Sequence, residues 1–399
     1  MAFSVMHRAP IQQETIRPPP VGSGPGDKPE EEDKRPRTRC GYLVPEAYAC
    51  YESALGEVGP VASGKALHFA ADLICSGGLD IWIRGAYSYA MQKINLSNPR
   101  IFVYLKQRIQ ELDKKASMLP QEAFYNNPDV QASVAETVLV LQLCPKHVKV
   151  TWPKIDENTR RPGWLRGVAG APETRANRKV WSSESDSPTL YLVGNEFCKA
   201  IQDGVTERAL FWIRWTLEED TAVRKSTKGH GLSNKDRGPP QASPKSRTEA
   251  GHYMAALLNE IYKELAEKGL VRMVEEFQEL QRLWKQGEPR MAARLRRDCL
   301  ALMAMICCEV PRWRVPAAAP LVSDPIRLAR AVAQSPSFFH EVLAYKPLKS
   351  ILKPTMTKGT GGPRKSKKEP TEKEKKEMSM EEHFDAYDAV MEAYLNRSS

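Results

Sequence analysis

Asn127-Pro128-Asp129-Val130, running through Thr137-Val138-Leu139-Val140-Leu141-Gln142-Leu143 to Cys144-Pro145, reads as one long apolar helix with both ends marked. Proline fits the first helical turn, where its missing amide has no partner to lose, and Pro145 stops the helix after Cys144. The same start signal, Asn98-Pro99, opens a helix that presents Ile101, Tyr104, Leu105, Ile109 and Leu112 at helical spacing. Upstream, one helix carries Trp82, Ile83, Tyr87 and Met91, and another runs from about residue 63 to Cys75, where Ser76-Gly77-Gly78 ends it. A first helix, entered at Pro45, spaces Tyr48, Tyr51 and Leu55 until Gly56 and the Gly59-Pro60 break. These five form a helical unit over residues 41–145. No alternation is long enough to argue for a sheet, so the class is all-α.

A second helical unit spans residues 186–345. Leu190 to Ile201 is helical or partly extended, and Thr206 to Glu219 is a strongly apolar helix. Further helices cover residues 253–268, 271–285 and 291–308. Between them the Lys-, Arg-, Gly-, Pro- and Ser-rich residues 221–249 read as a mobile basic insertion. Lys65-Ala66-Leu67-His68-Phe69 can be laid on Arg208-Ala209-Leu210-Phe211-Trp212. The closing helices also match, one ending Cys144-Pro145-Lys146 and the other Val310-Pro311-Arg312. Two similar multi-helix units in tandem follow.

The ends have another composition. Residues 1–40 read as a disordered tail, with Pro18-Pro19-Pro20 and a mixed charged run. Residues 346–377 are a basic linker that includes Arg364-Lys365-Ser366-Lys367-Lys368. Residues 378–399 form an amphipathic helix with Phe384, Tyr387, Met391, Tyr394 and Leu395 on one stripe. On its tether this helix suits docking into a protein partner or a neighbouring subunit; the other reading folds it back on its own chain. Thirty prolines and a mean hydropathy of -0.49 place the polar excess in these segments. The N-terminus carries no signal-peptide pattern and no apolar run approaches a bilayer span. The eight cysteines are scattered, without a CxxC pair or zinc spacing. The expectation is an intracellular protein, nuclear or cytoplasmic.

A formal charge of +10 favours an acidic partner such as nucleic acid. Residues 146–185, a crossover between the units, concentrate the candidates. Lys146, Lys149, Lys154, Arg160, Arg161, Arg166, Arg178 and Lys179 are interleaved with Trp152, Trp164 and Trp181. Cations of this kind meet phosphates while indoles stack on exposed bases. The alternative is a basic crossover whose tryptophans pack down on the helical units.

Short pieces resemble the helical, clamp-loader-collar-like C-terminal domain of replication-associated recombination protein A. They are His68-Phe69-Ala70-Ala71-Asp72-Leu73-Ile74-Cys75-Ser76-Gly77-Gly78, the turn Lys93-Ile94-Asn95-Leu96-Ser97-Asn98-Pro99, and the helix ending Leu143-Cys144-Pro145-Lys146. In the second unit, Ala209-Leu210-Phe211-Trp212 followed by Leu217-Glu218-Glu219-Asp220 is similar to another helix of that domain. The resemblance covers about a quarter of the chain and implies a helical scaffold in a replication or repair setting, without the family's ATPase module.

Catalytic patterns are missing. Gly59-Pro60-Val61-Ala62-Ser63-Gly64-Lys65 has the letters of a phosphate loop, but helical sequence precedes it and Ala66 stands where a magnesium-binding hydroxyl belongs. Asp72 and Asp80 flank a glycine turn, and Glu218, Glu219 and Asp220 end a helix. Nothing in their spacing brings them together as a metal site. The reading is a non-enzymatic accessory or assembly factor for DNA replication, repair or recombination, with no cofactor and no metal. The alternative is a structural or assembly protein of a large DNA virus particle, placed in the virion or the viral factory.

Overall fold

The structure, a computed structural model, describes residues 35–346 except 58, 148, 162, 228, 272–273, 287–289, 310–320 and 322–323. Most of the 1–40 tail, the linker after 346, and the C-terminal helix with Phe384, Tyr387, Met391, Tyr394 and Leu395 lie outside the described residues.

The fold is all-α. In chain order the helices are α1 (Val44–Gly56), α2 (Pro60–Cys75), α3 (Leu79–Tyr89), α4 (Arg100–Met118), α5 (Gln121–Tyr125), α6 (Pro128–Leu143), α7 (Trp164–Val168), α8 (Arg175–Val180), α9 (Pro188–Gln202), α10 (Thr206–Ser226), α11 (Pro244–Arg247), α12 (Ala250–Glu267), α13 (Val274–Lys285), α14 (Ala293–Cys308), α15 (Pro325–Ala333) and α16 (Ser335–Ala344). Among the described residues there is no strand, only two isolated bridges, Arg37 with Leu43 and Asp186 with Ser233. No described helix is long and apolar enough to cross a membrane.

Capping chemistry explains several starts. Asn127 Oδ1 accepts from the amides of Asp129 at 3.1 Å and Val130 at 3.2 Å, with Pro128 in the first turn of α6. Ser187 plays the same part for α9, its hydroxyl oxygen accepting from the Leu190 amide at 3.4 Å ahead of Pro188. The segment read as helical or partly extended is therefore a full helix. Two helices bury residues all round: α6, and α14 from Asp298 to Cys308. They are the central posts of the molecule.

Helices α1–α6 pack together, as do α8–α10 with α12–α14, and one continuous apolar core runs through both groups. Along the seam α13 lies on α4, and α14 lies on the π-helical turn Ala90–Ile94 and the 3-10 turn Asn95–Ser97. The chain then crosses back: α15 packs on α6, and α16 on α2 and α6. Phe339 and Val342 of α16 are buried there, and Phe338 lies over Gly64.

The phosphate-loop look-alike follows helix α1. Gly59 (φ 120°) makes the corner, and Pro60 to Lys65 are the first turns of α2. The cysteines are free thiols, six of them buried, and burial pushes Cys75 up to about 12 and Cys144 up to about 11.

Candidate nucleic-acid interface

The crossover is irregular but firmly seated. Its anchors are polar groups of the helical body. Glu196 of α9, buried, accepts from the amides of Gly170 and Ala171, both at 2.7 Å, while its other oxygen takes the Arg208 guanidinium. Arg214 of α10 donates to the Pro153 carbonyl at 3.0 Å, and Glu218 accepts from both Arg214 and Arg160 at 2.7 Å. Asn177 of α8 donates to the Tyr191 carbonyl and to Asn195 Oδ1, each at 2.9 Å. A side chain at Gly194 would run into Asn177 and the Tyr253 hydroxyl, so α9 has glycine where α8 and α12 close on it.

The three tryptophans are half-buried and turned into this seat. Trp152 donates its indole N–H to Asp298 Oδ1 at 3.3 Å. Trp164 lies among Phe211, Trp212 and Trp215, with ring centroids 6.1–6.3 Å away. Trp181 donates to the Ser187 carbonyl at 3.2 Å, and its ring sits 4.9 Å from that of Tyr191. Each indole thus has a packing role.

The cations divide into two sets. Lys146 turns its ammonium onto the end of α6, donating to the carbonyls of Cys144 at 2.9 Å, Gln142 at 3.1 Å and Leu141, over the Tyr89 ring. Burial lowers its pKa to about 8. Arg160 pairs with Glu218, Arg178 with Glu173 and Lys179 with Glu260. Lys149, Lys154, Arg161, Arg166 and Arg175 are exposed, and their side chains have no ion-pair partner among the described residues.

Two convergences emerge. The charges of Lys149 and of Arg294 and Arg297, from the first turns of α14, all act on the buried carboxyl of Asp298. Burial raises the Asp298 pKa against the opposing pull of Trp152 and these three cations. At the other end, Arg178 and Trp181 share an open cleft with Tyr191 and Lys235. Arg294, Arg297, Tyr191 and Lys235 were missed in the sequence. The basic run Arg294-Leu295-Arg296-Arg297 was a visible signal for the first pair. Lys235 stood in the supposed mobile insertion.

That insertion begins as the last turn of α10 and continues on fixed anchors. Asp220 accepts from the Leu232 amide at 2.7 Å, Arg224 Nε at 2.8 Å and the Ala250 amide at 3.1 Å. Asp186, fully buried as a side chain, accepts from Ser233 Oγ at 2.6 Å, Arg237 Nη1 at 2.8 Å, the Ser182 amide at 2.9 Å and Arg237 Nη2.

The candidate acidic clusters have other partners. Asp80 meets Arg290 at 2.6 Å, Asp72 accepts from the Cys40 amide at 3.1 Å, and Asp220 serves as above. Among the described residues no group of three or more His, Cys, Asp or Glu side chains is arranged to hold a metal ion. No protein-family model matches the chain, and neither a curated protein nor a solved structure matches it.

Proposed function

We propose that this chain is a non-catalytic accessory or assembly factor that binds nucleic acid by its phosphates, through the crossover between its two helical groups. The observation carrying this reading is the five cations Lys149, Lys154, Arg161, Arg166 and Arg175, exposed on a crossover whose backbone is tied down by Glu196 and Arg214 and whose Trp152 indole is held by Asp298. Charges on a fixed backbone meet a polyanion without first losing loop entropy, and each neutralised phosphate releases counterions. The inward indoles of Trp152 and Trp164 argue for backbone contacts as the main source of affinity. The replication or repair setting rests on the resemblance of the helical pieces alone.

The test is fluorescence anisotropy of labelled single- and double-stranded DNA across a salt series. Wild type is compared with a variant carrying K149Q, K154Q, R161Q, R166Q and R175Q. Wild type is expected to bind with a steep salt dependence, and the variant to bind weakly with a slope shallower by about 4. Absence of wild-type binding at low salt would sink the proposal.

A further inference from the structure

We infer that the cleft between Trp181, Tyr191 and Lys235 seats one unpaired nucleobase and its phosphate, which would make the chain a single-strand binder. The inference rests on the nucleic-acid reading above and names the ligand for part of that surface. The cleft is open, with a volume of about 680 Å³, inside the range of roughly 300–1,000 Å³ common for small-ligand sites. Its wall is a pair of aromatic rings 4.9 Å apart and tilted by 59°. The Trp181 N–H, spent on the Ser187 carbonyl, fixes the indole plane. Glu173 accepts from Arg178 at 2.5 Å, so one acidic charge in the cleft is already paired. Arg178 remains 71% exposed despite that bond, leaving guanidinium N–H groups free for a second acceptor. Lys235 reaches the cleft from a segment anchored two residues to either side of it, through Ser233 and Arg237.

Preformed rings beside Lys235, with the exposed guanidinium of Arg178 shared with Glu173, are the components of sequence-tolerant single-strand binding: π-faces for bases and donors for the backbone. A proline-rich peptide also favours a Trp–Tyr wall. Its recognition relies on donors to the peptide carbonyls, and here the indole N–H is internally bonded, whereas stacking needs only a ring face. Glu184, on the same rim, carries a carboxylate that accepts from exocyclic amines. Bases that bear one, adenine among them, are therefore favoured over thymine.

The experiment measures anisotropy of a fluorescein-labelled oligo(dA) 20-mer, the matching oligo(dT), and a duplex. It uses the full chain as wild type, W181A, W181F and K235Q. Expected are tighter binding of oligo(dA) than oligo(dT), and a loss of roughly 5- to 100-fold for oligo(dA) in W181A. Duplex affinity should change less than about 2-fold, W181F should recover most of the loss, and K235Q should lower the salt slope by about 1. Equal losses for single strand and duplex, no loss in W181A, or a W181F as defective as W181A each overturn the inference. So does an arginine-bearing proline-rich peptide that binds in a Trp181-dependent way while oligo(dA) does not. DNA binding that survives W181A but fails in the five-cation variant removes the base seat and leaves the phosphate-binding reading standing. A wild type that binds no DNA removes both.

Discussion

Arg290 holds Asp113 through two parallel N–H···O bonds of 2.6 and 2.7 Å, joining residues 177 positions apart, while its Nε donates to Asp80 at 2.6 Å. The arginine lies just before α14, Asp113 in α4, and Asp80 in the first turn of α3, so one planar guanidinium ties the later helical group to two helices of the earlier one. Close by on the same seam, Arg282 is clamped on the buried carboxylate of Glu279 and reaches the Tyr87 hydroxyl at 3.3 Å. The seam therefore has fixed polar bonds in addition to its apolar contacts, and these specify how the groups sit.

Substituting R290A is expected to destabilise the fold by about 1–3 kcal/mol, since the largely buried Asp80 loses its partner and the more exposed Asp113 loses a bidentate one. R290K keeps the charge but loses the fork, and should fall between wild type and alanine. Urea unfolding at neutral pH checks both. A wild-type midpoint for R290A would mean that apolar packing alone sets the seam.

His252 makes the fold acid-sensitive. Its Nδ1 accepts the Trp284 indole N–H at 3.0 Å, so the ring is neutral in the native state. Burial, with the charges of Arg296 and Lys285 opposing Asp236 and the Ser246 carbonyl, lowers its pKa from 6.5 to about 4. The unfolded chain thus binds the proton first. This contribution is complete above pH 6.5 and is lost as pH falls towards 4, on the order of 3 kcal/mol. Unfolding free energies from pH 7 to 4.5 should fall more steeply in wild type than in H252Q, whose amide oxygen can still accept from Trp284. Parallel curves would refute the assignment.

Residues 229–249 are expected to resist trypsin in the native protein despite their lysines and arginines. Burial pushes the Asp186 carboxyl up, yet the hydrogen bonds from Arg237 and Ser233 outweigh it and hold the pKa below the ordinary range. R237A strands that buried carboxylate, at a cost of about 3–5 kcal/mol, and frees the segment. Cleavage at Lys235 or Lys245 should then appear under conditions that leave wild type intact. Rapid cleavage of wild type at these sites would show that the anchors do not hold in solution.

This segment marks where the sequence stops being legible. Helix starts such as Asn127-Pro128 announce themselves because cap, proline and apolar run are neighbours in the chain. The acceptors that seat Ser233 and Arg237 are about 50 residues upstream, and nothing local in a Lys-, Gly- and Pro-rich stretch reveals them. The same holds for the return of α15 and α16 onto α2 and α6, where Phe338 and Phe339 meet helices more than 190 residues earlier. In the crossover the residue types were readable but their directions were not. Alternating cations and indoles fit either reading until Glu196, Asp298 and the α10 aromatics fix which way the backbone turns.

Trp164 separates those two readings. Its ring fills the space between Phe211, Trp212 and Trp215, and truncation to alanine there removes aromatic contacts while the neighbours relax only in part. Because the ring is half-buried, the expected loss for W164A is about 2–3 kcal/mol, below that of a fully buried tryptophan. An indole that serves packing alone contributes to DNA affinity only through the folded fraction. Measured well below its melting temperature, W164A should therefore bind single- and double-stranded DNA within about 2-fold of wild type, although it melts earlier. A stacking indole gives the opposite pattern, a loss confined to single strands that persists when the variant is fully folded. Melting curves and anisotropy on the same preparation decide between them, and a selective single-strand loss would move the base contact from the Trp181 end of the crossover to its middle.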